Sequence, residues 1–149
     1  MDFSNKYIIM CKNAKEIQEE WKKKEGDWVF YKNTIHLIHF QPLYGSLMLF
    51  YNELIENWGI CDETIHKYQQ PVNQSEIIWL PTQDQLQKLF FKHLSPITIL
   101  KNFCKWCEKY NDYTKKFNSM EQLWLAFIMW EKFNKFWYYA ISKWIKRGG

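Results

Sequence analysis

The chain has 149 residues, 47% of them hydrophobic and 24% charged, with a net charge of +4. That composition excludes a disordered chain and fits one domain with its own core. No run reaches the about eighteen apolar residues of a membrane span, and no signal-peptide core with a small-residue cleavage site is visible, so the expected location is the cytoplasm with reduced thiols.

Charge and rings are unevenly spread. Residues 1–75 carry eight lysines against ten acids, and residues 76–149 carry twelve Lys or Arg against six acids. The basic half is therefore the half that would meet an anionic partner. Of the basic residues only Arg147 is arginine, which disfavours base-edge reading and leaves loose backbone binding through Lys. Aromatic residues make up 19%, with nine Trp, nine Tyr and eleven Phe. That surplus predicts that some rings reach an interface.

In chain order, the stretch "NAKEIQEEWKKKEGD" (13–27) reads as a helix. Ala14, Ile17 and Trp21 share a face, Glu and Lys alternate at i,i+4, and Gly26 is a stop. "DWVFYKN" and "TIHLIHF" read as strands joined by a turn at Lys32-Asn33, with Pro42 ending the second. "LYGSLMLFYNELIENWG" fits either a helix through Leu47, Phe50, Leu54 and Trp58 or a strand over 44–51. Residues 61–75 are polar, contain Pro71, and read as a loop or insertion; "EIIWL" is then a short strand running into Pro81.

Two helix starts share one pattern. In "TQDQLQKLF", Thr82 and Gln85 form a capping box; in "SMEQLWLAF", Ser119 and Gln122 repeat it. Between them "PITILKNFCKWCEKY" reads as a helix begun by Pro96, with Ile99, Phe103 and Trp106 as its apolar line. The last helix is expected from Met120 to about residue 145. Leu123, Phe127, Trp130, Trp137, Ile141 and Trp144 lie on its core face, and Lys132, Lys135, Lys143 and Lys146 on the opposite one. Trp124, Ile128 and Tyr139 also fall on the lysine side, where large apolar groups call for another layer or a partner. Trp124, Ile128, Lys132, Lys135, Tyr139 and Lys143 are therefore the expected partner-binding residues. Together the elements predict an α+β fold over a single domain, 1–149: a small antiparallel sheet packed with three to five helices, with a helix-rich C-terminal half.

The chemistry-bearing residues give little. Cys104 and Cys107 form a C-x-x-C that, with Cys61 and His66, would complete a zinc set. The pair sits inside a helical pattern well after Pro96, where i,i+3 thiols need no metal, so no metal and no cofactor are expected. His36 and His39 fall on opposite faces of a strand. Glu53 and Glu56 share a face only if their segment is helical. No nucleophile has a recognisable base and no Gly-rich phosphate loop exists, so an enzyme is not expected.

The stretches "AKEIQEEWKKKEGDWV" (14–29), "IIWLPTQDQLQKL" (77–89) and "FNSMEQLWLAFIMWEKFNKFW" (117–137) resemble a family of small proteins met in bacteriophages and prophages of low-GC Gram-positive bacteria. They cover about a third of the chain, and no catalytic residue is carried over. The resemblance implies a phage accessory protein in the host cytoplasm. It would bind, and by binding inhibit, a host protein or ribonucleoprotein complex, in the manner of anti-defence and anti-CRISPR proteins. The alternative is a nucleic-acid-binding protein whose basic C-terminal half stacks Trp and Tyr on bases. The sequence does not set the oligomeric state.

Overall fold

The computed structural model describes residues 1–38, 48–52, 57–62, 67–69, 73–90 and 93–148, with the backbone alone at 48–52, 57–62, 67–69, 74 and 90. The chain is α+β, as the sequence predicts. Among the described residues there are six α-helices and eight strands, and the strands form two three-stranded sheets and one hairpin. Where the sequence reading takes the chain as one domain, the described residues group into two compact units, 21–80 and 1–20 with 81–149.

The unit 21–80 is the sheet unit. β1 (Trp28–Tyr31) pairs antiparallel with β2 (Thr34–Leu37), Tyr31 facing Thr34 across the turn. Lys32 and Asn33 both have positive φ, 45° and 62°, the backbone of a tight two-residue hairpin whose twist matches its strands. The second sheet is β3 (Met48–Asn52), β4 (Asn57–Asp62) and β5 (Lys67–Gln69). The ambiguous stretch 43–59 thus contributes a strand over 48–52, and Gly59 lies within β4 rather than capping a helix. The span 61–75 is also not simply a loop: the end of β4, all of β5 and a 3-10 turn at Gln74–Glu76 fall inside it. β6 (Ile78–Trp79) returns to the free edge of β1. Asp27 ties this unit together. Its Oδ2 accepts from Trp21 Nε1 at 2.8 Å and from Lys24 N at 2.9 Å, and its carbonyl accepts from Ile38 N at 2.8 Å. Gly26 beside it has a φ of +84°, which an L side chain would strain. Trp21, expected on the first helix, instead stacks on Trp79 at 5.8 Å.

The other unit is helical. α1 (Asn5–Asn13) is capped by Ser4, whose hydroxyl accepts from Tyr7 N. It and the single turn α2 (Lys15–Glu19) bury Tyr7, Ile8, Met10, Cys11 and Ile17. The helix expected over 13–27 is therefore displaced toward the N-terminus and ends at Glu19. α3 (Gln83–Phe90) starts as predicted. Thr82 N donates to Gln85 Oε1 at 2.8 Å, and Gln85 N donates to Thr82 Oγ1 at 3.3 Å. α4 (Pro96–Lys109) is capped by Ser95 and buries Phe103 and Trp106; α5 (Asn111–Thr114) is one turn.

α6 (Met120–Phe133) is the central helix. Ser119 Oγ accepts from Gln122 N at 3.1 Å, but the return bond of this second box goes to Asn118 N, at 3.3 Å. The six consecutive residues Trp124 to Met129 are all buried, so this helix is apolar all round because it is covered all round. It does not run on to residue 145. Asn134 adopts the left-handed conformation, φ 54° and ψ 41°, and its N–H closes on Met129 O. The chain then forms the hairpin β7 (Lys135–Tyr138) and β8 (Lys143–Lys146). Trp137 and Trp144, expected on one helix face, are cross-strand partners with rings 5.0 Å apart. No described helix is long and apolar enough to cross a membrane.

Candidate binding surface

Of the six residues expected to form a contact surface, Trp124 and Ile128 lie in the core. Trp124 is 1% exposed and Ile128 is fully buried. Trp124 stacks on Phe103, ring centroids 4.0 Å apart, and meets Phe127 edge-on. Lys132, on α6, pairs with Glu20, and Lys135, on β7, pairs with Glu16. Burial pushes the Glu16 carboxyl up, but the hydrogen bond from Lys135 and the lysine charges outweigh it and hold the group below its ordinary value. Tyr139 lies in the 3-10 turn between β7 and β8 with Lys6 Nζ 5.0 Å and Lys116 Nζ 5.6 Å from its ring. Burial drives its phenol pKa upward. Lys143 is exposed on β8 and, like Lys146, makes no close ion pair among the described residues. The physical reason for the correction is the helix end at Asn134: the shared face disappears once residues 135–146 become a hairpin.

The rings of the C-terminal half behave in the same way. Trp106, Trp124, Phe127, Trp137 and Trp144 are buried, and Tyr138 is the exposed ring among described residues 76–148. Trp130 is half-buried beneath the Arg147 guanidinium, 4.1 Å from ring centroid to Cζ. Among the described residues the C-terminal rings thus pack mainly on one another, buried or half-buried.

Exposed apolar groups include Met1, Phe3, Ile9, Met120, Tyr138 and Ile141, and three more, Leu94, Ile97 and Leu100, gather at the start of α4. Ser95 and Pro96 set where that helix begins, and Phe103 and Trp106 set which side faces inward. At about 100° per residue, Ile97 and Leu100 are then carried out of the core. They are 62% and 52% exposed, and Leu94 just ahead is 44% exposed. Ile97, Leu100 and the exposed Cys104 follow the i, i+3, i+7 spacing of one stripe. Beside this stripe is a groove of about 680 Å³ lined by Asp84, Gln87 and Lys88 of α3, Leu94, Pro96, Ile99 and Leu100 at the start of α4, and Trp124 of α6. Asp84 and Lys88 form an i,i+4 ion pair of 2.6 Å at its polar side. Trp124 Nε1 is buried and, like Trp106 Nε1, has no hydrogen-bond partner among the described residues, a costly state for an indole N–H.

The Cys107 thiol is not a reactive group here. Cys107 on α4 is pushed up to about 11 by burial and by the nearby Cys104 and Glu108, far from a thiolate at neutral pH. Among the described residues no three His, Cys, Asp or Glu side chains are placed to hold a metal ion; the Cys61 side chain and His66, like His39, Glu53 and Glu56, lie outside the described residues.

Sequence reasoning placed the α4 core line correctly at Phe103 and Trp106 but did not follow its complement outward. Ile97 and Leu100 were legible as the apolar residues left over once that line is fixed. Comparison with protein-family models, with curated proteins and with solved structures finds no match for this chain.

Proposed function

We propose that the chain is an accessory protein that works by occupancy: it binds a host protein in the cytoplasm and inhibits it, in the manner of anti-defence or anti-CRISPR factors. The observation carrying this reading is the exposed apolar step of Leu94, Ile97 and Leu100 beside the α3–α4 groove. Clustered apolar side chains of this kind, rimmed by charge, are typical of protein contact sites. The residues around the groove supply an apolar wall and one ion pair, a composition suited to recognition.

The test is retention of host-lysate proteins on the immobilised chain, with and without nuclease and across a salt series. A protein retained after nuclease treatment and at high salt supports the reading. Retention abolished by nuclease, or falling steeply as salt rises, overturns it in favour of nucleic-acid binding.

A further inference from the structure

We propose that the α3–α4 groove and the adjoining Leu94–Ile97–Leu100 step receive an acidic amphipathic helix of the partner protein, which rests on the protein-binding reading above. Two independent observations lead to this occupant. The first is shape. The exposed line from Leu94 to Cys104 spans ten residues, almost all on α4, or about 15 Å of helix. That is enough for roughly three turns of a second helix to lie along it with one apolar side chain inserted between α3 and α4. The second is charge. Lys101, Lys105 and Lys109 are exposed on the polar side of α4, with Glu108 as the only acid among them. Between residues 93 and 118 there are five lysines against two acids. Asp84 and Lys88 neutralise each other at the rim, so the field that an arriving helix meets is set by the α4 lysines.

The division of labour follows from the geometry. Apolar burial on Ile97 and Leu100 supplies affinity. The lysines orient the helix and reject a basic one.

The test uses the full isotope-labelled chain and follows its indole N–H resonances, with that of Trp124 assigned by its loss in Trp124→Phe. The probes are a synthetic helical peptide with Leu along one face and Glu elsewhere, its counterpart with Lys for Glu, and a single-stranded oligonucleotide. The expected result is that the Glu peptide moves the Trp124 signal. The Trp144 signal, whose N–H is already bound to Met10 O at 2.9 Å, should stay in place, and the other two probes should do nothing. Leu100→Glu should weaken binding at least about tenfold with unfolding unchanged, and the Lys101→Glu, Lys105→Glu double variant should exchange the Glu preference for a Lys one. The inference is overturned if the Glu peptide leaves Trp124 unmoved, if the Lys peptide or the oligonucleotide moves it equally, or if it moves with protein concentration alone, which would make the occupant a second copy. Should the immobilised chain retain a host protein that Leu100→Glu retains as well, this inference falls while protein binding stands. Should the unsubstituted chain retain no host protein, the functional reading itself falls.

Discussion

Trp124 lies flat on Phe103, ring centroids 4.0 Å apart and planes 7° from parallel. This one stack joins α6 to α4 and makes Trp124 a floor beneath the groove rather than a contact on an outer face. Trp124→Ala should therefore destabilise the fold by about 3–5 kcal/mol. Chemical denaturation checks it; a loss under about 1 kcal/mol would return Trp124 to the surface.

Ser119 has two partners at once. Its hydroxyl accepts from Gln122 N and donates to Asp2 Oδ2 at 2.5 Å, while Gln122 Nε2 donates to the same oxygen at 2.7 Å. Ser119→Ala removes the cap and should cost about 1 kcal/mol. Because it also frees Asp2, hydrogen exchange at the start of α1 should accelerate in the variant, which a cap acting alone would not cause.

Asn134 is the residue that divides helix from hairpin. Its carbonyl accepts from Arg147 N at 2.9 Å and its Oδ1 accepts from Arg147 Nε at 2.6 Å. Arg147 Nη2 also reaches Trp130 O, a carbonyl at the end of α6. Asn134→Ala must hold an alanine in the left-handed region and should lose about 1–2 kcal/mol. Asn134→Gly keeps the conformation, loses only the Oδ1 acceptor, and should fall between the two in thermal unfolding.

Acid should weaken the helical unit through Asp2 and Glu16. Burial pushes the Asp2 carboxyl up, but hydrogen bonds from the Ser119 hydroxyl, Ser4 and Gln122 outweigh it, so it sits below its ordinary value, as Glu16 does. A carboxyl lowered in the fold binds its proton less readily there than in the unfolded chain. Its contribution is therefore present above the ordinary carboxylate range and is lost as pH falls through the lowered value. Unfolding temperature should drop below about pH 5, and the Asp2→Asn, Glu16→Gln double variant should show a shallower drop. Both groups are partly exposed, which keeps the effect modest.

Local chemistry was legible where it is carried by a few adjacent residues. Thr82 with Gln85, the Ser119 cap to Gln122 N and the Lys32-Asn33 turn all act within their own segments, and each is found where the sequence places it, though the second box returns to Asn118 N rather than Ser119 N. The reading failed where two periods compete. "KFWYYAISKWIK" offers Trp137, Ile141 and Trp144 at helical spacing, yet it also alternates as strands, and Asn134 decides the matter through one backbone conformation. The face assignment of Trp124 and Ile128 failed for a related reason: a helix apolar on every side has no phase for charge to reveal. α1 was missed because its buried positions, Tyr7, Ile8, Met10 and Cys11, crowd into one short run that reads as an apolar patch until Ser4 is recognised as its cap.

The central claim is that function resides on the α3–α4 surface, and Leu100→Glu tests it most directly. Retention of the host partner and thermal unfolding should be measured side by side on this variant and on Lys132→Glu. The account predicts that Leu100→Glu abolishes retention while its unfolding free energy stays within about 0.5 kcal/mol, and that Lys132→Glu retains the partner. Retention that survives Leu100→Glu but is lost in Lys132→Glu would contradict it and return the contact surface to the α6 side.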